Sequence, residues 1–265
     1  MPSWMEEPDH QGMQPVRPVP QQRIAEKVDE CMRREDYPGV ERVLRYWLAE
    51  AEAGHDLRGE LMILGEMVGH YRKTGEKENA HACAEKAIAL IDALGYQDSL
   101  SAATAYVNIA TAYHAFGETE EALPLFLRAK AIYENSAAVS PVLLGGLYNN
   151  LGLCYAALSR FEEAVGCYDR ALQALHTGSD SILEEAIIWM NRACSVEGRD
   201  GAERGETAIN QCLDHAEACL TSDAAVQDGY YAYVCERCIP TFEYYGCFLV
   251  ASQLKERVRS IRERS

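Results

Sequence analysis

The 265-residue chain is poor in positive charge: 25 Lys and Arg stand against 41 Asp and Glu, a formal net charge of -16. Phosphate backbones are held by clustered cations that release counterions. The single basic run, Lys255, Arg257, Arg259, Arg262 and Arg264, is diluted by Glu256 and Glu263, so no nucleic acid partner is expected. Those cations suit the end of a last helix, where they meet the negative pole of the helix dipole. Long apolar runs are missing too, and none approaches the roughly 18 residues that a membrane span needs; no membrane partner is expected. No charged-then-apolar signal segment opens the chain, and its ten cysteines follow no framework spacing. Reduced thiols and a cytoplasmic location are the expectation.

Catalytic signatures are equally scarce. There is no phosphate-cradling Gly-rich loop with a following Lys, no His-Glu-x-x-His pair, no nucleophile elbow and no EF-hand loop, so neither enzymatic activity nor a cofactor is expected. Cys235-Glu-Arg-Cys238 has a metal-like spacing, but structural zinc takes four ligands, and Cys219, Cys247 and His215 lie on other predicted helices. Packed thiols account for the pair, and no metal site is expected.

What the sequence does have is helical periodicity and self-similarity. Residues 1–20 carry Pro2, Pro8, Pro15, Pro18 and Pro20 with few aliphatics, a composition that reads as a disordered tail. From about residue 21 apolar residues recur at helical spacing, without strand alternation or hairpin signals. Tyr71, Tyr113 and Tyr155 lie 42 residues apart, as do Gly75, Gly117 and Ser159, then Ala80, Ala122 and Ala164, then Ala87, Ala129 and Ala171. A fixed period in this range marks stacked units, none of which can bury its apolar face alone. The alanines let helices approach closely, and the Gly/Gly/Ser column sits where the chain must reverse between two helices.

Ser99, Ser140 with Pro141, Ser181 with Glu184, and Asp223 each precede a helical stretch, as N-caps do. They predict first helices over 98–116, 140–158, 181–197 and 223–239, paired with second helices over 118–135, 160–176, 204–220 and 241–262.

Tyr106-Val-Asn-Ile-Ala-Thr-Ala-Tyr113 with Gly117 and Ala122, and Leu151-Gly152-Leu-Cys-Tyr155 with Phe161, Ala164, Tyr168 and Ala171, resemble tetratricopeptide repeats. The stretch 61–94 is a weaker member that lacks the leucine-glycine pair ahead of its tyrosine. Trp189-Met-Asn191-Arg-Ala193 resembles another, followed by an insertion-like stretch from Gly198 to Gly205. The resemblance implies an all-α, right-handed superhelical solenoid of about five helical pairs over 21–262. Its repeats fall near 21–54, 61–94, 103–136, 145–178 and 186–220, and a C-terminal capping pair covers 223–262. A 42-residue period resembles the extended repeats of kinesin light chains and of bacterial peptide-sensing regulators; no DNA-binding module precedes the repeats.

In that family the first helices line a concave groove that takes extended peptides. Asn108, Asn150 and Asn191 occupy matching places there, 42 and 41 residues apart; Thr111, His114 and Asn149 are neighbours, and Arg72 and Lys73 are nearby cations. An amide offers both a donor and an acceptor to a peptide backbone, although the same asparagines could instead bond within the scaffold. Tyr230, Tyr231, Tyr233, Tyr244 and Tyr245 are expected to seal the end of the array, as terminal repeats must. The function implied is a non-enzymatic scaffold for a protein or peptide ligand. The alternatives are a regulatory sensor for a short signalling peptide and a self-associating module forming a homodimer. The N-terminal tail is long enough to reach back into the groove.

Overall fold

The computed structural model describes residues 17–176 and 181–264, and every regular element among them is helical. They form two compact units, one running to Val139 and one beginning at Ser140. The first contains α1 (Gln21–Arg33), α2 (Tyr37–Ala53), α3 (Leu57–Thr74), α4 (Lys77–Leu94), α5 (Leu100–Ala115) and α6 (Thr119–Glu134). The second contains α7 (Pro141–Ala157), α8 (Phe161–Leu175), α9 (Ile182–Asp200), α10 (Ala202–Thr221), α11 (Gly229–Tyr244) and α12 (Phe248–Arg262). The all-α tetratricopeptide-repeat class is the one expected. The described residues hold six helical pairs, in keeping with the about five expected, the C-terminal capping pair making the sixth.

The turn column behaves as its composition demands. Gly75 and Gly117 lie in the left-handed region at φ 77° and 84°, and Ser159 is held there at 58°. In the first unit this geometry brings the Glu76 N–H back to the Tyr71 carbonyl at 2.8 Å, satisfying one of the acceptors a helix end leaves over. The six column alanines, Ala80, Ala122, Ala164, Ala87, Ala129 and Ala171, are all fully buried. In the second unit Gly152 serves close approach: a Cβ there would stand 2.4 Å from Cε1 of Tyr168, so α7 and α8 pack with that ring against bare backbone. The tyrosines of the 42-residue column link elements within each unit. The Tyr71 hydroxyl donates to Glu41 Oε1 at 3.0 Å, the Tyr113 ring stacks on His81 at 4.6 Å, and Arg160 lies over Tyr155.

Ser99 and Ser140 cap α5 and α7, their hydroxyls accepting from the N–H groups of Ala102 and Leu143. At Ser181 the start is where expected, α9 beginning at Ile182, but without the expected capping bond, and the start expected at Asp223 is corrected. The Ser181 hydroxyl caps nothing; it donates to the Leu175 carbonyl at 3.3 Å. Asp223 lies in a turn, and α11 starts at Gly229 because Asp228 accepts from Tyr230 N and Tyr231 N at 2.9 and 3.0 Å. The insertion-like stretch from Gly198 is mostly helix. Residues 198–200 prolong α9, and Gly201, at φ 81°, makes the turn to α10 alone.

The expected tail over 1–20 lies outside the described residues as far as residue 16. Beyond it, Arg17 N donates to the Gly54 carbonyl, Val19 N donates to Asp56 Oδ2 at 2.9 Å, and Val19 is buried. The chain therefore reaches α1 along the α2–α3 turn. At the other end the tyrosines divide. Tyr231 is buried and bonds the Leu220 carbonyl at 2.9 Å. Tyr230, Tyr233 and Tyr244 remain exposed, and Phe248 and Leu249 beside them are 67% and 73% exposed. The end is only partly sealed.

Candidate functional site

Within the first unit, the odd-numbered helices enclose an open cavity of about 900 Å³, a size typical of ligand sites. One wall is the start of α1, with Gln21, Gln22, Arg23 and Glu26. The floor is built from two helices in register. Arg58, Leu61, Met62 and Gly65 of α3 correspond to Ser101, Thr104, Ala105 and Asn108 of α5, each pair 43 residues apart. On each helix these positions fall at intervals of three, one and three, the spacing of a single helical face. Glu66 of α3 and Tyr96, from the loop before α5, complete the lining.

Asn108 is the one expected groove residue that lines this cavity. Its equivalent in the 42-residue register is Glu66, but the residue it faces on α3 is Gly65, where a Cβ would stand 3.7 Å from Asn108 Nδ2. The amide thus lies over a position with no side chain. Among the described residues Asn108 makes no hydrogen bond, so one carbonyl oxygen and two N–H donors face the open space. The charges around it differ in how far they are engaged. Arg58 Nε donates to the Tyr96 hydroxyl at 2.8 Å, and its guanidinium lies 5.4 Å from the centre of that ring. Glu26 accepts from Gln22 Nε2 at 3.0 Å. Glu66 has neither a hydrogen bond nor an ion pair among the described residues. It is open to solvent on the cavity side yet crowded by the walls. This loss of solvation, and secondarily the negative charge of Asp29 on α1, push its carboxyl above the ordinary carboxylate range.

The other expected residues have other tasks. Thr111 donates back to the Val107 carbonyl at 2.7 Å, a bond within its own helix. His114 Nδ1 lies 3.1 Å from the Thr119 hydroxyl across the α5–α6 turn. Burial lowers the basicity of that imidazole, which keeps it neutral near pH 7. Arg72 and Lys73 sit in the last turn of α3, outside the cavity lining. In the second unit Asn191 Nδ2 donates to Asn149 Oδ1 at 2.9 Å. The rung that meets Asn191 is therefore Asn149, 42 residues away, rather than Asn150. Asn150, half-buried on α7, is engaged within the protein as well.

Sequence reasoning missed Gly65 and Glu66. The readable signal was the break in the ladder: 42 residues before Asn108 the preceding repeat carries an acid, Glu66, with a glycine immediately before it.

The thiols are chemically quiet. Burial pushes Cys154 and Cys219 up to about 11 and Cys238 to about 12, with Cys83, Cys212 and Cys235 also raised, so little of the nucleophilic thiolate exists at neutral pH. Cys235 and Cys238 are buried free thiols. No cluster of three or more His, Cys, Asp or Glu among the described residues could hold a metal ion, and no helix among them is long and apolar enough to cross a membrane.

Stacked helical pairs with alanine seams and left-handed turns define a tetratricopeptide-repeat fold, and comparison with known proteins agrees. Tetratricopeptide-repeat family profiles match residues 48–135 and 147–176. Among solved structures, BtubC (BKLC) from P. vanneervenii aligns over 76% of this chain and 81% of its own, with a TM-score of 0.64 and 19% identity. A kinesin light chain-like protein from Podosopora anserina with nearly identical TPR-like repeats aligns over 76% of this chain and 94% of its own, with a TM-score of 0.56 and 17% identity. MamA aligns over 78% of this chain and 97% of its own, with a TM-score of 0.53 and 16% identity. No curated protein sequence matches. Residues 48–135 and 147–176 thus carry tetratricopeptide repeats, and the fold is the extended-repeat solenoid that these solved structures share. Proteins of this class are, as a rule, scaffolds for protein interactions.

Proposed function

We propose that this protein is a non-enzymatic interaction scaffold that seats an extended segment of a partner protein or peptide in the cavity of its first unit. The observation that carries the reading is the Asn108 amide, unpartnered over Gly65 in an open space of about 900 Å³. Such an amide can accept from a peptide N–H and donate to a peptide carbonyl, which anchors a backbone without reading its side chains. Leu61, Met62 and Ala105 supply apolar contact beside it. Asn149 and Asn191 satisfy one another and act as scaffold bonds. Ten free cysteines suit a reducing compartment such as the cytoplasm. A regulatory sensor for a short signalling peptide would use the same cavity.

A photo-crosslinking residue at Met62 tests the reading against one at Leu153 of the second unit. Partner peptides identified by mass spectrometry should attach at Met62 and be lost when Asn108→Ala is added. Attachment at Leu153 alone, or at Met62 regardless of Asn108, contradicts it.

Self-association is the second reading, favoured by the exposed Tyr244, Phe248 and Leu249 at the α11–α12 turn. Exposed apolar clusters of this kind mark contact surfaces. Sedimentation of wild type and Phe248→Ser/Leu249→Ser decides it: a dimer dispersed by the double substitution supports the reading, and an unaltered mass removes it.

A further inference from the structure

We infer that the cavity selects for positive charge: the segment it takes carries a Lys or Arg side chain that pairs with Glu66. This rests on the reading of the cavity as a peptide site and adds the chemistry of the occupant.

The argument is an inventory of charge. Four charged side chains line the cavity, Arg23, Glu26, Arg58 and Glu66. Arg58 is held by Tyr96 through a hydrogen bond and the ring face. Arg23 is exposed and lies three residues before Glu26 on the same helix, a spacing that puts both on one helix face; it makes no ion pair among the described residues. Glu66 is left over. Its electrostatic neighbour is Asp29, of the same sign, and no cation of the described residues pairs with it.

The position costs the fold something. A carboxylate that is crowded, partly stripped of water and set near a like charge is less favourable there than in the unfolded chain. A Gln of the same shape would avoid that cost, so the charge is explained if a ligand cation relieves it. Access is available, because Gly65 immediately before Glu66 has no side chain and Ala105 opposite is small. Asn108 and Glu66 then divide the work. The amide holds backbone in any sequence, and the carboxylate, as one partner of a charge-assisted hydrogen bond, chooses a Lys or Arg. The overall charge of -16 favours the approach of basic segments and disfavours acidic ones.

The test is selection from a random dodecapeptide library displayed on phage, run in parallel on wild type, Glu66→Gln and Asn108→Ala, all first shown to be equally helical by circular dichroism. Wild type should enrich peptides with a Lys or Arg at one recurrent position. Glu66→Gln should enrich peptides without that preference and bind a wild-type-selected peptide about tenfold more weakly; changing the peptide's own Lys to Gln should cost wild type the same factor and cost Glu66→Gln nothing. Asn108→Ala should enrich little. Peptides that depend on Asn108 but show no basic preference, or whose preference survives Glu66→Gln, overturn the inference and leave the cavity as a peptide site. Selection indifferent to both residues, or no enrichment on wild type, overturns both.

Discussion

The two units use asparagine in opposite ways. In the second, Asn149 and Asn191 close on one another across 42 residues, and their hydrogen-bonding capacity goes into holding α7 to α9. In the first, Asn108 meets Gly65, nothing answers its amide among the described residues, and a cavity opens around it. A repeated polar residue is thus structural where its neighbour repeats and available where its neighbour is missing. Function in a repeat array can be sought at the positions where the repeat fails.

The largest effect should come from the close approach in the second unit. Gly152→Val drives side-chain atoms into the Tyr168 ring, and about 3 kcal/mol of destabilisation is expected in urea unfolding. Smaller, and closer to the comparison, is Asn191→Ala. It leaves Asn149 without its donor and should cost about 1 kcal/mol, whereas Asn108→Ala should leave the unfolding midpoint where it is. Equal costs at the two positions would erase the distinction between the units.

Glu118 gives a pH-dependent case. Partial burial acts to raise its carboxyl, but the hydrogen bonds from Lys77 and His81, at 2.6 and 2.7 Å, outweigh it and set the value below the usual carboxylate range. The folded state therefore gains stability above the unfolded carboxylate value of about 4.3 and loses it as pH falls through the lowered folded value. Glu118→Gln should cost about 0.5 kcal/mol at pH 7, the size of a partly solvated pair, and progressively less as pH falls through the lowered folded value. The smallest effect has the opposite sign. Glu66 is raised, so its charge opposes folding at neutral pH. Glu66→Gln should increase Tm by about 1–3 °C at pH 7, with the difference fading as pH falls through the raised folded value and gone below the unfolded value of about 4.3. A fall in Tm would mean that Glu66 is a structural residue.

Much of the fold was legible in the sequence because it rests on steric columns. The buried alanines and the left-handed Gly75, Gly117 and Ser159 admit few alternatives at their positions. Helix starts were legible where the capping group is local, as at Ser99 and Ser140. At Ser181 the start held although the hydroxyl is drawn to the Leu175 carbonyl, and the reading failed at Asp223, which loses to Asp228 five residues on. The site was half legible. Asn108 could be read from its column, but the availability of its amide depends on the glycine it faces. The bonds of Thr111 and His114 are local ones that the repeat columns do not mark, Asn191 finds Asn149 one 42-residue period away rather than the Asn150 of the column, and Glu66 was one acid among 41.

The most direct measurement is fluorescence anisotropy of a wild-type-selected basic peptide titrated with wild type, Asn108→Ala and Asn149→Ala/Asn191→Ala. Affinity lost in Asn108→Ala alone is the expected result. Loss only in the second-unit double substitution, or the same affinity in all three, would contradict a binding site in the first unit.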